Sequence, residues 1–137
     1  MNETLLIIED NEQNFYMMRF LLEKNGFKVV GAENGREGIE KALQQAPQAI
    51  LLDIQLPEMD GYAVAAELKK HKELEGVPII AVTSYAMVGD RERIMAAGAT
   101  GYIEKPINPD TFVSEIASHL QKAEHDKESL DESAHRG

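Results

Sequence analysis

The chain has 137 residues, 43% of them hydrophobic, which is one domain's length and enough apolar material for a single core. Its 24 acidic residues against 14 basic ones leave a formal net charge of -10, which argues against nucleic acid or an anionic membrane as partner, since both are gripped by clustered Lys and Arg. There is no cysteine for a disulfide or thiolate metal site, and Met1-Asn2-Glu3-Thr4 has neither the basic region nor the apolar length of a signal peptide, so a cytoplasmic location is expected.

Apolar runs alternate with segments of helical period from one end to the other. Leu5-Leu6-Ile7-Ile8 reads as a first strand. Asn11 to Asn25 then places Phe15, Met18, Leu21 and Leu22 on one helical face, with Gly26 as a stop. Phe27 to Ala32 is β-rich, and Asn34-Gly35 opens a second helix with Ile39, Ala42, Leu43 and Ala46 expected inward and Pro47 closing it. A third strand, Ala49-Ile50-Leu51-Leu52, leads through a loop marked by Pro57 and Asp60-Gly61 to a helix that buries Val64, Ala65 and Leu68. Pro78 precedes the fourth strand, Ile79-Ile80-Ala81-Val82, and a helix over 88–97 is capped by Gly98. Gly101-Tyr102-Ile103-Glu104 is the fifth strand, and after Pro109 the last helix aligns Phe112, Val113, Ile116 and Leu120. A fivefold strand–helix alternation implies an α/β fold with a parallel sheet covered on both faces.

From Lys122 to Gly137 the composition turns polar. Five acidic and three basic side chains fall here, so the rest of the chain keeps eight of the ten net negative charges. Residues 1–121 form the expected domain and 122–137 an acidic tail, either a helical extension or disordered.

Each of four strands ends on a chemically useful residue. The first runs into Glu9-Asp10, the third into Asp53, the fourth into Thr83 and the fifth into Lys105. In a parallel sheet all of these emerge along one edge, where open α/β sheets place their ligands. Asp10 and Asp53 suit direct ligation of Mg²⁺, with Glu9 acting through a water, because Mg²⁺ takes one or two carboxylates, waters and substrate oxygens. Three adjacent carboxylates repel one another, and a divalent cation and Lys105 relieve that repulsion. Asp53 is also a candidate nucleophile for an aspartyl phosphate, with Lys105, the Thr83 hydroxyl and the Ser84 backbone N–H around the phosphoryl oxygens.

Glu9-Asp10-Asn11, Asp53-Ile54-Gln55-Leu56-Pro57, Met59-Asp60-Gly61, Thr83-Ser84 and Lys105-Pro106, in that order, resemble the receiver domain of two-component response regulators over residues 4–121, in a stand-alone, single-domain form like the chemotaxis and cell-cycle receivers. The resemblance implies a flavodoxin-like (βα)5 fold with a doubly wound sheet of order 2-1-3-4-5. It implies Asp53 as acceptor of a phosphoryl group from a sensor histidine kinase or His-phosphotransfer protein. Mg²⁺ would be held by Glu9, Asp10, Asp53 and the backbone carbonyl of Gln55. Lys105-Pro106 would be cis. Thr83 and Tyr102 would act as the switch, and the face built from the last two helices and the strand between them would meet a downstream effector, with Arg91, Arg93, Met87 and Tyr102 as contact residues. Such a protein is a signalling switch, catalysing only its own phosphoryl transfer and dephosphorylation, as a monomer or a weak phosphorylation-dependent dimer. Tyr85, two residues past Thr83, and Gln55, two residues past Asp53, are expected to shield the aspartyl phosphate from water and tune its lifetime.

Plainer readings exist for each residue alone: a loop aspartate, a solvated lysine, β-branched strand material, a sheet-edge tyrosine. It is their joint placement that favours chemistry. Met17, Met18, Met87 and Met95 read as packing residues, and His71, His119, His125 and His135 as surface side chains without metal-ligand spacing. A phosphohydrolase of the haloacid dehalogenase type uses similar groups, but it needs an acid where Gln55 stands and a cap domain to enclose substrate. A flavodoxin-like flavin carrier would need hydroxyls and free N–H groups in place of the acidic Glu9-Asp10-Asn11-Glu12 turn.

Overall fold

The computed structural model describes residues 3–56, 58–84 and 88–136. Pro57, Tyr85 and Met87 lie outside the described residues. Five strands, β1 (Thr4–Ile8), β2 (Lys28–Ala32), β3 (Ala49–Asp53), β4 (Ile79–Thr83) and β5 (Gly101–Glu104), alternate with five helices, α1 (Glu12–Lys24), α2 (Gly35–Gln45), α3 (Gly61–Lys69), α4 (Val88–Ala97) and α5 (Phe112–Arg136). A single 3-10 turn, Lys72–Leu74, separates α3 from β4. All strand pairings are parallel and the order is β2-β1-β3-β4-β5, the flavodoxin-like doubly wound arrangement.

The pleat of β1 divides the core. Leu5 and Ile7 face α1 and α5, packing with Met18, Leu22, Phe112 and Ile116, while Leu6 and Ile8 face α2 and α3, packing with Ala42, Val64 and Leu68. Every residue of β3 and β4 is buried, as expected for central strands covered on both sides. A third group, Ile54, Ala81, Ile94 and Ala99, fills the space under α4 with Tyr62 and Tyr102 beside it.

Caps set the helix limits. Asn11, Asn34 and Asp60 each accept a backbone N–H of the first turn, from Asn14, Glu37 and Ala63, and so start α1, α2 and α3. Gly98, at φ +121, ends α4. The last helix continues without a break from the core into the acidic segment.

Three details correct the sequence reading. In α2 the buried positions are Gly35, Gly38 and Ala42, with Ile39 packed partly buried beside them as expected, whereas Leu43 is exposed and Ala46 is the exposed left-handed cap. Gly38 takes the core position because a Cβ there would press into the Ile8 side chain, with Ile8 Cγ1 at 2.7 Å. Met95 is 46% exposed on α4 and does not pack in the core. His119 is half-buried, its ring lying where a Gly101 side chain would otherwise stand.

Candidate functional site

The carboxyl ends of β1, β3, β4 and β5 converge on one cleft. Glu9 extends the β1 ladder, its N–H donating to the Ala32 carbonyl, and Asp53 closes β3. Thr83 closes β4, and the Lys105 N–H donates to the Thr83 carbonyl at 2.9 Å, which places the lysine just past β5. The Lys105–Pro106 peptide bond is cis.

In this cleft the Lys105 ammonium lies 3.1 Å from Glu9 Oε1 and 3.3 Å from Asp53 Oδ1. Both acids and Thr83 are buried, while Asp10 is exposed at the rim. Asp53 Oδ1 also accepts the Gln55 N–H at 2.9 Å, and Glu9 Oε2 accepts the Asn11 N–H at 3.3 Å. The residue that caps α1 thus also steadies the first acid.

Burial, then the neighbouring Asp53 carboxyl, pushes Glu9 up to about 7 against the opposing pull of Lys105. Burial alone would lower Lys105, but the charges of Glu9 and Asp53 outweigh it and hold the ammonium above its ordinary range. The cleft is therefore short of positive charge: among the described residues one cation, Lys105, faces three acids.

The residues present fit a hard divalent cation. One carboxylate oxygen from each of Glu9, Asp10 and Asp53 lies within 4.8 Å of the others. Glu9 Oε1 is buried and accepts no hydrogen bond among the described residues, its ion contact with Lys105 aside. A buried, under-satisfied oxygen beside two more carboxylates suits the all-oxygen preference of Mg²⁺.

Across the cleft, the Ser84 N–H reaches the Gln55 side-chain oxygen at 3.4 Å, tying the ends of β3 and β4 together. Sequence reasoning placed both residues near Asp53 but gave no sign of this link. In the sequence Gly61 reads as a loop marker and as part of the Met59-Asp60-Gly61 motif, neither of which shows its packing. The Gly61 N–H donates to the Ile54 carbonyl at 3.0 Å, and a Cβ there would stand 2.7 Å from the Asp53 carbonyl oxygen. No side chain fits where α3 meets the end of β3.

On the flank, Tyr102 is half-buried opposite Ala81, with the Arg91 guanidinium 4.9 Å from its ring centroid. Arg91 also lies 3.6 Å from Glu104, and Arg93 stacks over Tyr62 at 4.1 Å. Both arginines, expected to face a partner, are engaged with their own chain through their guanidinium planes.

Residues 5–117 match the response regulator receiver domain family. The chain is 43% identical over 123 residues to the polar-differentiation response regulator DivK of Brucella anthropi, covering 90% of this chain and 100% of that one. In structure it is similar to a CheY-like response regulator receiver domain protein of Methanospirillum hungatei, with TM-score 0.82, 31% identity and coverage of 92% and 99%. It is also similar to the receiver domain of a sensor histidine kinase of Pseudomonas aeruginosa, described with a magnesium ion coordinated in its active site cleft, with TM-score 0.81, 30% identity and coverage of 88% and 99%. The chain belongs to the receiver domain family of response regulators, the phosphorylation-dependent switches of two-component signalling.

Proposed function

We propose that this is a single-domain response regulator in which Asp53 accepts a phosphoryl group from the histidine of a sensor kinase or phosphotransfer protein. The observation that carries the reading is the Lys105 ammonium set between the buried Glu9 and Asp53 carboxylates at the carboxyl edge of the sheet. In the transfer an Asp53 oxygen bonds to phosphorus as the P–N bond to the donor imidazole breaks. The imidazole leaves with the bonding pair and takes up a proton.

Glu9, Asp10, Asp53 and the Gln55 backbone carbonyl would hold Mg²⁺, which when bound supplies the charge neutralisation that phosphoryl transfer demands. Lys105, the Thr83 hydroxyl and the Ser84 N–H bind the phosphoryl oxygens. The Gln55 side chain that now accepts from Ser84 must release that N–H as the group arrives. Gln55 and Tyr85 then govern how fast water reaches the acyl phosphate.

Receiver domains are signalling proteins rather than classical enzymes, and they work between a kinase or phosphotransfer protein and an effector. Here the new charge draws on Thr83, Tyr102 follows, and the α4-β5-α5 face carries the change to a protein partner through Arg91, Arg93, Met87 and Tyr102. Residues 1–121 form the receiver and 122–137 its acidic tail, of which the stretch to Arg136 prolongs the last helix. The chain acts in the cytoplasm as a monomer or a weak phosphorylation-dependent dimer. Among the described residues no helix is long and apolar enough to cross a membrane.

Incubation with acetyl phosphate and Mg²⁺ followed by intact mass tests the reading. The expected result is a gain of one phosphate that requires Mg²⁺ and disappears in Asp53→Asn. Labelling that persists in that variant, or turnover of phosphate esters over many cycles, overturns it.

A further inference from the structure

At the end of the sheet opposite the acidic cleft lies a cavity of about 690 Å³ that the signalling chemistry does not use. It opens between the end of α3, the 3-10 turn, the start of β4, α4 and α5, a volume typical of small-molecule sites. Its apolar wall is formed by Leu68, Ile79, Ala99 and Met95. Met95, nearly half exposed, is one of the few large hydrophobic side chains that the fold leaves open to solvent.

The charge at this mouth runs against the rest of the molecule. Lys69, Lys70, Lys72 and Lys122 line it, with Glu75 as the one acid among the described residues, in a chain whose acidic residues outnumber the basic ones by 24 to 14. Lys70 is partly engaged by Glu67 at 3.4 Å, and Lys69 and Lys72 have no ion pair among the described residues. The stem of Lys69 crosses Gly98, with its Cγ 2.7 Å from where a Cβ would stand, so its path is fixed by the glycine cap of α4. The His119 ring forms part of the wall, and burial followed by the Lys122 charge holds it below its ordinary pKa, with Glu115 opposing. A positive field is thus gathered around an apolar hollow.

We infer that this cavity is a second ligand site, for a small organic anion that carries a phosphate, phosphonate or carboxylate on an apolar or planar body. The body would lie against Met95, Leu68 and Ala99, and the anionic group would meet Lys69 and Lys72 at the mouth. Neither half suffices alone: an inorganic anion leaves the wall wet, and a neutral ring leaves the lysines unanswered. Because β3 and β4 run from this hollow, at Ile50 and Ile79, to the acidic cleft, at Asp53 and Thr83, an occupant here can couple to the phosphorylated state, and the coupling would be reciprocal.

The test is a titration of the full-length protein, followed by amide proton–nitrogen correlation spectra in the presence of EDTA. Phenylphosphonate is the probe because its P–C bond cannot donate a phosphoryl group to Asp53. Methylphosphonate supplies the anion without the ring, and benzyl alcohol the ring without the anion. The expected result is saturable shifts at Lys69 to Leu74, Thr100, Gly101 and His119, at least about tenfold tighter for phenylphosphonate than for either half, and weakened about tenfold or more in the Lys69→Glu/Lys72→Glu double variant. Both lysines are surface side chains, and the free spectrum of the variant confirms that it is folded. Equal binding of methylphosphonate, equal binding of benzyl alcohol, insensitivity to the charge reversals, shifts centred elsewhere, or no shifts at all would each overturn the proposal. None of these outcomes bears on whether Asp53 accepts phosphate.

Discussion

The Lys105 ammonium lies 3.1 Å from Glu9 Oε1, with 1% of the Glu9 side chain and 15% of the Lys105 side chain exposed. An ion pair this sheltered is costly to break from one side, because the partner left behind stays buried and charged. Lys105 also answers Asp53, so one substitution strands two acids.

Lys105→Met is therefore expected to cost about 1–3 kcal/mol of stability at pH 8, below the roughly 3–5 kcal/mol of a fully buried pair because the cleft opens to water on the Asp10 side. Urea unfolding without divalent cations measures it. The same substitution at pH 5, where Glu9 is protonated, should cost less, and an equal cost at both pH values would contradict the pairing.

The pH dependence of the metal-free protein follows from Glu9. Its carboxyl is held up to about 7 when folded, against 4.5 as its ordinary value. Between these values the folded state keeps a proton that the unfolded state has released, so stability falls as pH rises through this window. Glu9→Gln should flatten that slope, and saturating Mg²⁺ should oppose it. Lys105, also raised, loses its contribution only well above this range.

His119 works in the other direction. Burial and then Lys122 hold it below 6.5, with Glu115 opposing, so the unfolded state takes up a proton before the folded one does. Its contribution is present above pH 6.5 and is lost on acidification. Thermal midpoints of His119→Gln and wild type should diverge above pH 6.5 and draw together below it.

Gly61→Ala should be disproportionately harmful for a one-carbon change. The added methyl would stand 2.7 Å from the Asp53 carbonyl oxygen, at the junction of β3 and α3. A loss of about 1–3 kcal/mol is expected, together with weaker Mg²⁺ affinity because Asp53 must shift. Gly89→Ala on α4 is the control: nothing lies within 4 Å of its Cβ position, and the change should be neutral or stabilise by up to about 1 kcal/mol.

Arg91→Ala tests the α4–β5 contact. Arg91 stacks on Tyr102 and approaches Glu104, but all three are at least partly exposed, so the loss of stability should stay within about 0.5 kcal/mol. The Tyr102 ring proton resonances should nevertheless move, since the guanidinium lies 4.9 Å from the ring centroid. Unchanged resonances would mean that the stacking does not persist in solution.

The strands were legible because β3 and β4 are buried on both faces and read as continuous apolar runs ending at Asp53 and Thr83. Once the parallel order was inferred, the meeting of Glu9, Asp53 and Lys105 followed from chain direction alone. Side-chain detail was less accessible. Leu43 has the spacing of an inward residue, but the close approach of Gly38 to Ile8 rotates α2 so that the stripe runs through two glycines, which no hydrophobic count registers. His119 has the polarity of a surface residue, which says nothing of Gly101, the residue on the neighbouring strand that leaves room for its ring. The Gln55–Ser84 link depends on the spacing of two strand ends and has no local sequence signal.

Because β1, β3, β4 and β5 each supply one part of the cleft, no contiguous stretch of polypeptide holds the chemistry. A proteolytic fragment lacking either terminus would lose Glu9 or Lys105 outright, and two such pieces would rebuild the cleft only by reassociating. The approach of Lys105 to Glu9 can therefore serve as a reporter of complete strand assembly during refolding, silent until the first and last strands have both docked.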